Sequence, residues 1–555
     1  MTPVARPPLM NSLRISARRL GLLLVAGAAL VAAPSGAAQT PRAAAAPIAS
    51  LDQLRALRQR AADRPRRIIF NNDGNEPVYF CASPTAAELL RQRTTPLLGS
   101  QVDSIFYCTW SSGFSLFTHD TKVGEVFATR EGLFAKNLTP QFLAEGVDPL
   151  RVMADFGREH GIEIIWSFRV NDTHDGSTAD YGPIMLRANR LKREHPEWLI
   201  GGPPGKPKSG PWTAVDFTRA EIRELAFRYV EEVCQNYDVD GVELDFFRHP
   251  VFFKRPIHAR TVCNDEERGL MTELLRRIRV MTETEGMKRG RPFLLSVRVP
   301  DSIEYCRDIG LDLERWLGDG LIDLMAVSGY FQLNDWDYSV ALGRKHRVKV
   351  YASLDESRLR DVNARNLRMT EAAYRGRAAA VWAAGADGIY MFNSFNPVSP
   401  LWRELGDPRG LAKQDQDFFG SVRGVNNAGG NNLPLEPYVR LETLNPARPK
   451  NLTPGSKAVA NLRVGEGFAS AGALKLRVQF AAPPDAARLR VSVNGRALSA
   501  PAVADKWLEF TPPASVLRVG NNRVEVALNA EAAKPAAWTD VMLQVRQAAP
   551  LPARR

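Results

Sequence analysis

The chain of 555 residues predicts an α/β fold, a (β/α)8 TIM barrel followed by a smaller C-terminal β-sandwich. Three observations carry this prediction. Eight short apolar runs alternate with helix-like stretches across residues 65–425, the pattern of βαβ units in a parallel barrel. No glycine-rich phosphate loop follows the first run, which disfavours a doubly wound open sheet. Near residue 425 the composition turns to glycine and asparagine, and beyond it short strands alternate with turns.

Taken in order, Arg14, Arg18 and Arg19 precede an apolar run over residues 20–33, and small residues follow to Ala38. A basic segment, an apolar core and a small-residue zone predict a cleaved signal peptide over residues 1–38. The run falls short of the roughly 20 residues that a bilayer span needs. No stable membrane anchor is therefore expected, and the protein is placed in the periplasm or outside the cell. Residues 39–64 read as a linker rich in Ala, Pro and Thr, then a leading helix over 51–62. The eight strand candidates begin at Ile68-Ile69-Phe70 and continue at 104–107, 162–166, 241–244, 293–297, 322–327, 348–351 and 388–392. Amphipathic helices such as 219–236 and 265–285 lie between them. These elements make up a barrel catalytic domain over residues 65–425. Residues 424–432 read as a hinge, and residues 431–548 as the sandwich, with Asn494-Gly495 as a hairpin-turn signal. That domain is either carbohydrate-binding or a packing domain.

Lys and Arg total 73 against 61 Asp and Glu, a formal charge of +12. The surplus is scattered, without a basic block interleaved with aromatics, so nucleic acid is not an expected partner. An acidic polysaccharide is compatible with it. Cys81, Cys108, Cys234, Cys263 and Cys306 are odd in number and contain no CxxC, which indicates neither a disulfide-dependent fold nor a zinc site.

In a barrel strand, alternate side chains face the helices and the interior. If the apolar set faces the helices, Asn71, Asp73, Arg169, Asn171, Glu243, Asp245, Arg298, Ser328, Tyr330 and Asp355 face inward. Barrel interiors are normally apolar, so polar residues at the strand ends predict an active mouth. Glycoside hydrolysis needs two carboxyl groups on either side of the scissile bond. Asp245, at the exit of strand four, is the first candidate for nucleophile or base, kept ionised by Arg169, Arg248 or Arg298. Asp355, across the barrel on strand seven, is the candidate acid, with Asp301 and Glu304 as rivals. Asn71, Asp73, Arg169, Asn171, Asp172, Glu243, Arg248, Arg298 and Tyr330 are the expected lining for a polysaccharide or oligosaccharide. No metal or cofactor is expected. Asp172, His174 and Asp175 could approach an ion, but their spacing is diagnostic of none.

The segments 240–250, 169–175 and His195-Pro196-Glu197-Trp198, set on eight strands, resemble the glycosyl-hydrolase-like family ten and related secreted bacterial barrels. The resemblance spans residues 65–420 and implies a hydrolase with the acid after strand four in its site. The strand-four segment also resembles chitinase-type barrels, but Phe247 stands where those carry a catalytic Glu, which disfavours their mechanism. Two other readings stay open: a carbohydrate-binding barrel without catalysis, and a sugar lyase or isomerase using Tyr330 or His174 as base.

Overall fold

The apolar runs become strands that close on themselves. The computed structural model describes residues 48–201, 210–355, 359, 361–420, 433–442 and 444–548. The predicted signal peptide and the 424–432 hinge lie outside the described residues. The barrel strands are β1 (Ile68–Asn72), β2 (Val102–Tyr107), β3 (Glu163–Arg169), β4 (Gly241–Asp245), β5 (Leu294–Val299), β6 (Leu324–Val327), β7 (Lys349–Leu354) and β8 (Gly388–Met391). They pair in parallel around a closed ring, β8 returning to β1. Each predicted run overlaps one strand.

The helices follow their local signals. Helix α1 (Leu51–Ala62) starts at Ser50, whose hydroxyl accepts the Gln53 amide. Helix α2 (Ala220–Asn236) matches the predicted span to within one residue. Helix α3 (Asp265–Arg289) opens with a capping box between Asn264 and Glu267. It runs a turn past the expected end because its stop is Gly290, left-handed at φ 71°.

The predicted register holds. Val242 and Leu244 are buried on the helix-facing side of β4, and Trp166 stacks on Phe168 outside β3, rings 5.6 Å apart. Ser167, Glu243 and Ser296 stand side by side on β3, β4 and β5. At the opposite end the barrel floor is closed by a buried ion pair. Arg66 meets both oxygens of Glu163 at 2.7 Å, Ser104 donates to the same carboxylate, and Arg66 reaches the Tyr351 hydroxyl.

Beyond the barrel lie two antiparallel sheets. One holds β9 (Gln416–Phe419), β10 (Lys450–Leu452), β12 (Ala473–Phe480), β15 (Ala502–Ala504), β16 (Trp507–Phe510) and β18 (Ala536–Arg546). The other holds β11 (Lys457–Val464), β13 (Leu489–Val493), β14 (Arg496–Ala497) and β17 (Gly520–Leu528). Alternating residues such as Leu476, Val478, Val491, Val524 and Leu543 fill the space between them. Asn494 and Gly495 both take positive φ, 51° and 81°, in the hairpin joining β13 to β14, as the sequence predicts.

Barrel and sandwich belong to one compact unit, Ala46–Arg555. Strand β9, inside the segment assigned to the barrel, pairs along β18. Arg368, which ends helix α4 (Val362–Arg368), donates two bonds to Asp540 of β18 at 2.7 and 2.8 Å, both side chains buried. Helix α5 (Glu371–Ala383) lies so close to β9 that a Cβ at Gly376 would fall 2.2 Å from the Asp417 carbonyl oxygen. All five cysteines are buried and unpaired. Among the described residues no helix is long and apolar enough to cross a membrane.

Candidate active site

The mouth is built in layers upward from the strand ends. In the lowest, Glu243 Oε2 accepts from the Ser167 hydroxyl at 2.6 Å and the Tyr390 hydroxyl at 2.9 Å. Glu243 Oε1 and Ser296 Oγ find no partner among the described residues. Burial, and then the charge of Asp245, push the Glu243 carboxyl well above its ordinary value. Glu243 thus sits inside the barrel beneath the site rather than on its lining.

One step higher is Asp245. Its Oδ1 accepts the backbone amides of Phe247 and Arg248, both at 3.0 Å, which fixes the carboxylate plane. Its Oδ2 faces Arg298 Nη1 at 3.4 Å. Arg298 is fully buried, with Nη2 3.5 Å from the Ser353 hydroxyl of β7 and its guanidinium 3.7 Å from the centre of the Phe392 ring. It passes over Gly329, where a Cβ would come within 2.4 Å of Nη2. Arg298 therefore joins the Asp245 side of the mouth to β7. Asp355 lies two residues beyond Ser353 and accepts from Asn393 Nδ2 at 3.3 Å.

On the far side, Asp73 is paired with Arg169, which also donates to the Trp110 carbonyl at 3.1 Å. Burial alone would raise the Asp73 carboxyl, but Arg169 and then Arg248 overcome it and hold the group low. Asp73 keeps 16% of its side chain exposed, against 3% for Asp245. Tyr330 is buried, its ring 5.2 Å from the Arg248 guanidinium. Asn71 is buried on β1.

The loops after β3 and β4 meet at Asp172. Asp172 accepts the amides of Gly113 and His174 on Oδ1, and His174 Nδ1 stands 2.7 Å from Oδ2. Arg248 Nη2 lies 2.9 Å from His174 Nε2. A guanidinium only donates, so Nε2 accepts and Nδ1 carries the proton given to Asp172. Asp172, His174 and His249 bring three ligand atoms within 4.8 Å of one another. Asp175, expected in this group, is instead buried against Lys192 at 2.9 Å, and His249 takes its place. His174 is already held between Asp172 and Arg248, and Arg169 stands 3.8 Å from Asp172. Two guanidiniums so close to the group, one at His174 Nε2 and one near Asp172 Oδ2, oppose a cation there.

Three expected site residues have other partners. Asn171 braces two loops, donating to the Val215 and Val251 carbonyls and accepting the Val215 amide. Asp301 is buried, its carboxylate accepting the Leu333 and Asn334 amides. Burial raises its carboxyl to about 7 against these backbone bonds. Glu304 is exposed and accepts from the Ser302 hydroxyl.

Sequence reasoning missed Ser167, Ser296, Ser353, Tyr390 and His249. The first four follow from the register already used for Glu243 and Arg298, since each stands an even number of positions from an inward residue of its strand or beside one on the next strand. His249 carries no such signal, because it belongs to a loop.

An open cleft leaves the mouth past Ser328, Ser353 and Asp355 and reaches the sandwich at Asn461, Arg463 and Asn521.

No family model matches the chain, and no curated protein is similar to it. Among solved structures it is similar to a cycloisomaltooligosaccharide glucanotransferase from Paenibacillus sp. complexed with cycloisomaltoheptaose, at 10% identity and TM-score 0.33 over 86% of this chain and 57% of that one. It is also similar to the GH36 alpha-galactosidase AgaB from Geobacillus stearothermophilus, at 12% identity and TM-score 0.35 over 84% and 56%. A third is a glycoside hydrolase family 18 N-acetylglucosaminidase from Paenibacillus barengoltzii, at 12% identity and TM-score 0.32 over 62% and 99%. The chain spans just over half the length of the first two.

Proposed function

We propose that the protein is a secreted glycoside hydrolase, of the kind its resemblance to glycosyl-hydrolase-like family ten implies, with Asp245 as nucleophile or base and Asp355 as acid. The observation that carries the reading is the bridge across the mouth. Arg298 reaches from Asp245 on β4 to Ser353 on β7, and Asp355 lines an open cleft just beyond. Two carboxyl groups from nearly opposite strands suit a sugar held between them. Asp245 is oriented by two amides, while among the described residues its Oδ2 has only a long contact to Arg298, which leaves that oxygen capacity to act. Asp73, Arg169 and Arg248 grip the substrate from the other side, and Glu243 supports Asp245 from below.

The test is a screen of the mature protein against a polysaccharide panel, with reducing ends and unsaturated products read separately. New reducing ends, abolished in Asp245→Asn, are expected. Binding without products would leave a carbohydrate-binding barrel. Unsaturated products would favour a lyase.

A further inference from the structure

We infer that the sandwich forms one wall of the substrate cleft and that the ligand there is an uncharged oligosaccharide of several units. This rests on the hydrolase reading for its chemistry, but its evidence is separate. The cleft is continuous from the barrel mouth to the sandwich, and one wall comes from β11 and β17 through Asn461, Arg463 and Asn521. The sandwich cannot be a loosely tethered module, because β9 enters its sheet and the Arg368–Asp540 pair is buried across the junction.

The lining decides the ligand's charge. Three arginines, Arg368, Arg377 and Arg463, face three acids, Asp335, Asp355 and Glu442. The arginines are engaged by the protein itself. Arg368 gives two bonds to Asp540. Arg377 donates to the Arg368 carbonyl and lies 4.1 Å over the Tyr374 ring. Arg463 is paired with Asp337 and Asp335. An acidic polymer entering here would bring carboxylates beside Asp355 and Glu442, where Arg368 and Arg463 are already paired with Asp540, Asp337 and Asp335, and that is costly. What the lining offers is neutral hydrogen bonding and aromatic surface. Asn521 donates to Asp335 at 3.1 Å while its Oδ1 finds no partner among the described residues, and Gln332 and the half-buried Trp336 also line the cleft. Carboxamides and ring faces are the groups that match sugar hydroxyls and sugar C–H faces.

The test measures binding by calorimetry and cleavage by reducing ends, using dimers and hexamers of cello-, malto- and chito-oligosaccharides and an oligogalacturonate of matching length. A neutral hexamer should bind at least about tenfold better than the oligogalacturonate. Asn521→Ala should weaken neutral hexamer binding about 3- to 10-fold, the size of one lost hydrogen bond, and leave dimer binding and the melting temperature unchanged. Asn461→Ala, read the same way, guards against an Asn521 variant that fails to fold. Preference for the oligogalacturonate, or equal loss on dimer and hexamer, overturns the inference. Cleavage of neutral hexamers with both variants unaffected overturns the inference alone. Neutral hexamer binding lost in the variants without any cleavage overturns the hydrolase reading and supports the cleft. If no oligosaccharide binds, both are overturned.

Discussion

The floor and the mouth of the barrel each bury an arginine against a carboxylate, and the two pairs are built differently. At the floor Arg66 meets both oxygens of Glu163 at 2.7 Å and gives its other protons to the carbonyls of Ala61, Ala62 and Arg64. At the mouth Arg298 touches Asp245 once, at 3.4 Å, and its Nε finds no partner among the described residues. Burying charge is offset only by good geometry and full hydrogen bonding. The floor meets that condition and ties β1, β3 and β7 together. The mouth does not, and on the proposed hydrolase reading its unsatisfied buried groups serve chemistry rather than stability.

The sharpest way to break this contrast is Asp245→Asn. Turnover should fall about 10^2- to 10^4-fold, the size of a lost acid–base group. Stability should change little, because Glu243, relieved of a charged neighbour, can ionise and face Arg298 in its place. Steady-state rates and urea melts on the same preparation check both halves. Glu163→Gln is the counterpart. Arg66 would be left buried without a countercharge, at a cost of about 3–5 kcal/mol, while turnover per folded molecule stays intact. If the two variants lose equal stability, floor and mouth are not different in kind.

Asn171→Ala probes the boundary between lining and scaffold. Since Asn171 holds Val215 and Val251, it should cost about 1–3 kcal/mol in denaturant melts with KM unchanged. A raised KM at unchanged stability would return Asn171 to the substrate lining. A further effect concerns Glu243 and is read against pH. Its folded-state carboxyl is raised, so the folded protein holds a proton that the unfolded chain releases near pH 4.5. That contribution is fully present below this value and is lost as pH rises toward the folded-state value. Urea melts at about pH 5 and about pH 8 should show stability falling less with pH in Glu243→Gln than in the parent chain. Equal slopes would mean that Glu243 is ionised throughout.

Much of this was legible in the chain. The alternation Val242-Glu243-Leu244-Asp245-Phe246 names the inward residues of β4, and the same rule places Arg169, Arg298 and Asp355. The floor pair was not legible. Glu163 reads as one polar residue in an apolar run, and its partner lies 97 positions away. Asn171, Asp301 and Asp175 have the right side chains for a sugar or an ion, yet the fold uses them for backbone amides, carbonyls and Lys192. His249 joins His174 only because the loops after β3 and β4 converge, their rings 5.2 Å apart.

The sequence by itself determined the barrel, the sandwich hairpin and the direction of each strand side chain. These depend on spacings of two residues, on caps and on turn residues, all set by neighbours along the chain. Only the tertiary structure decided which inward carboxylates meet an arginine, which brace a loop and which line the cleft. Those outcomes depend on closing the ring of strands and seating the sandwich beside it, and so on contacts between residues far apart in the chain.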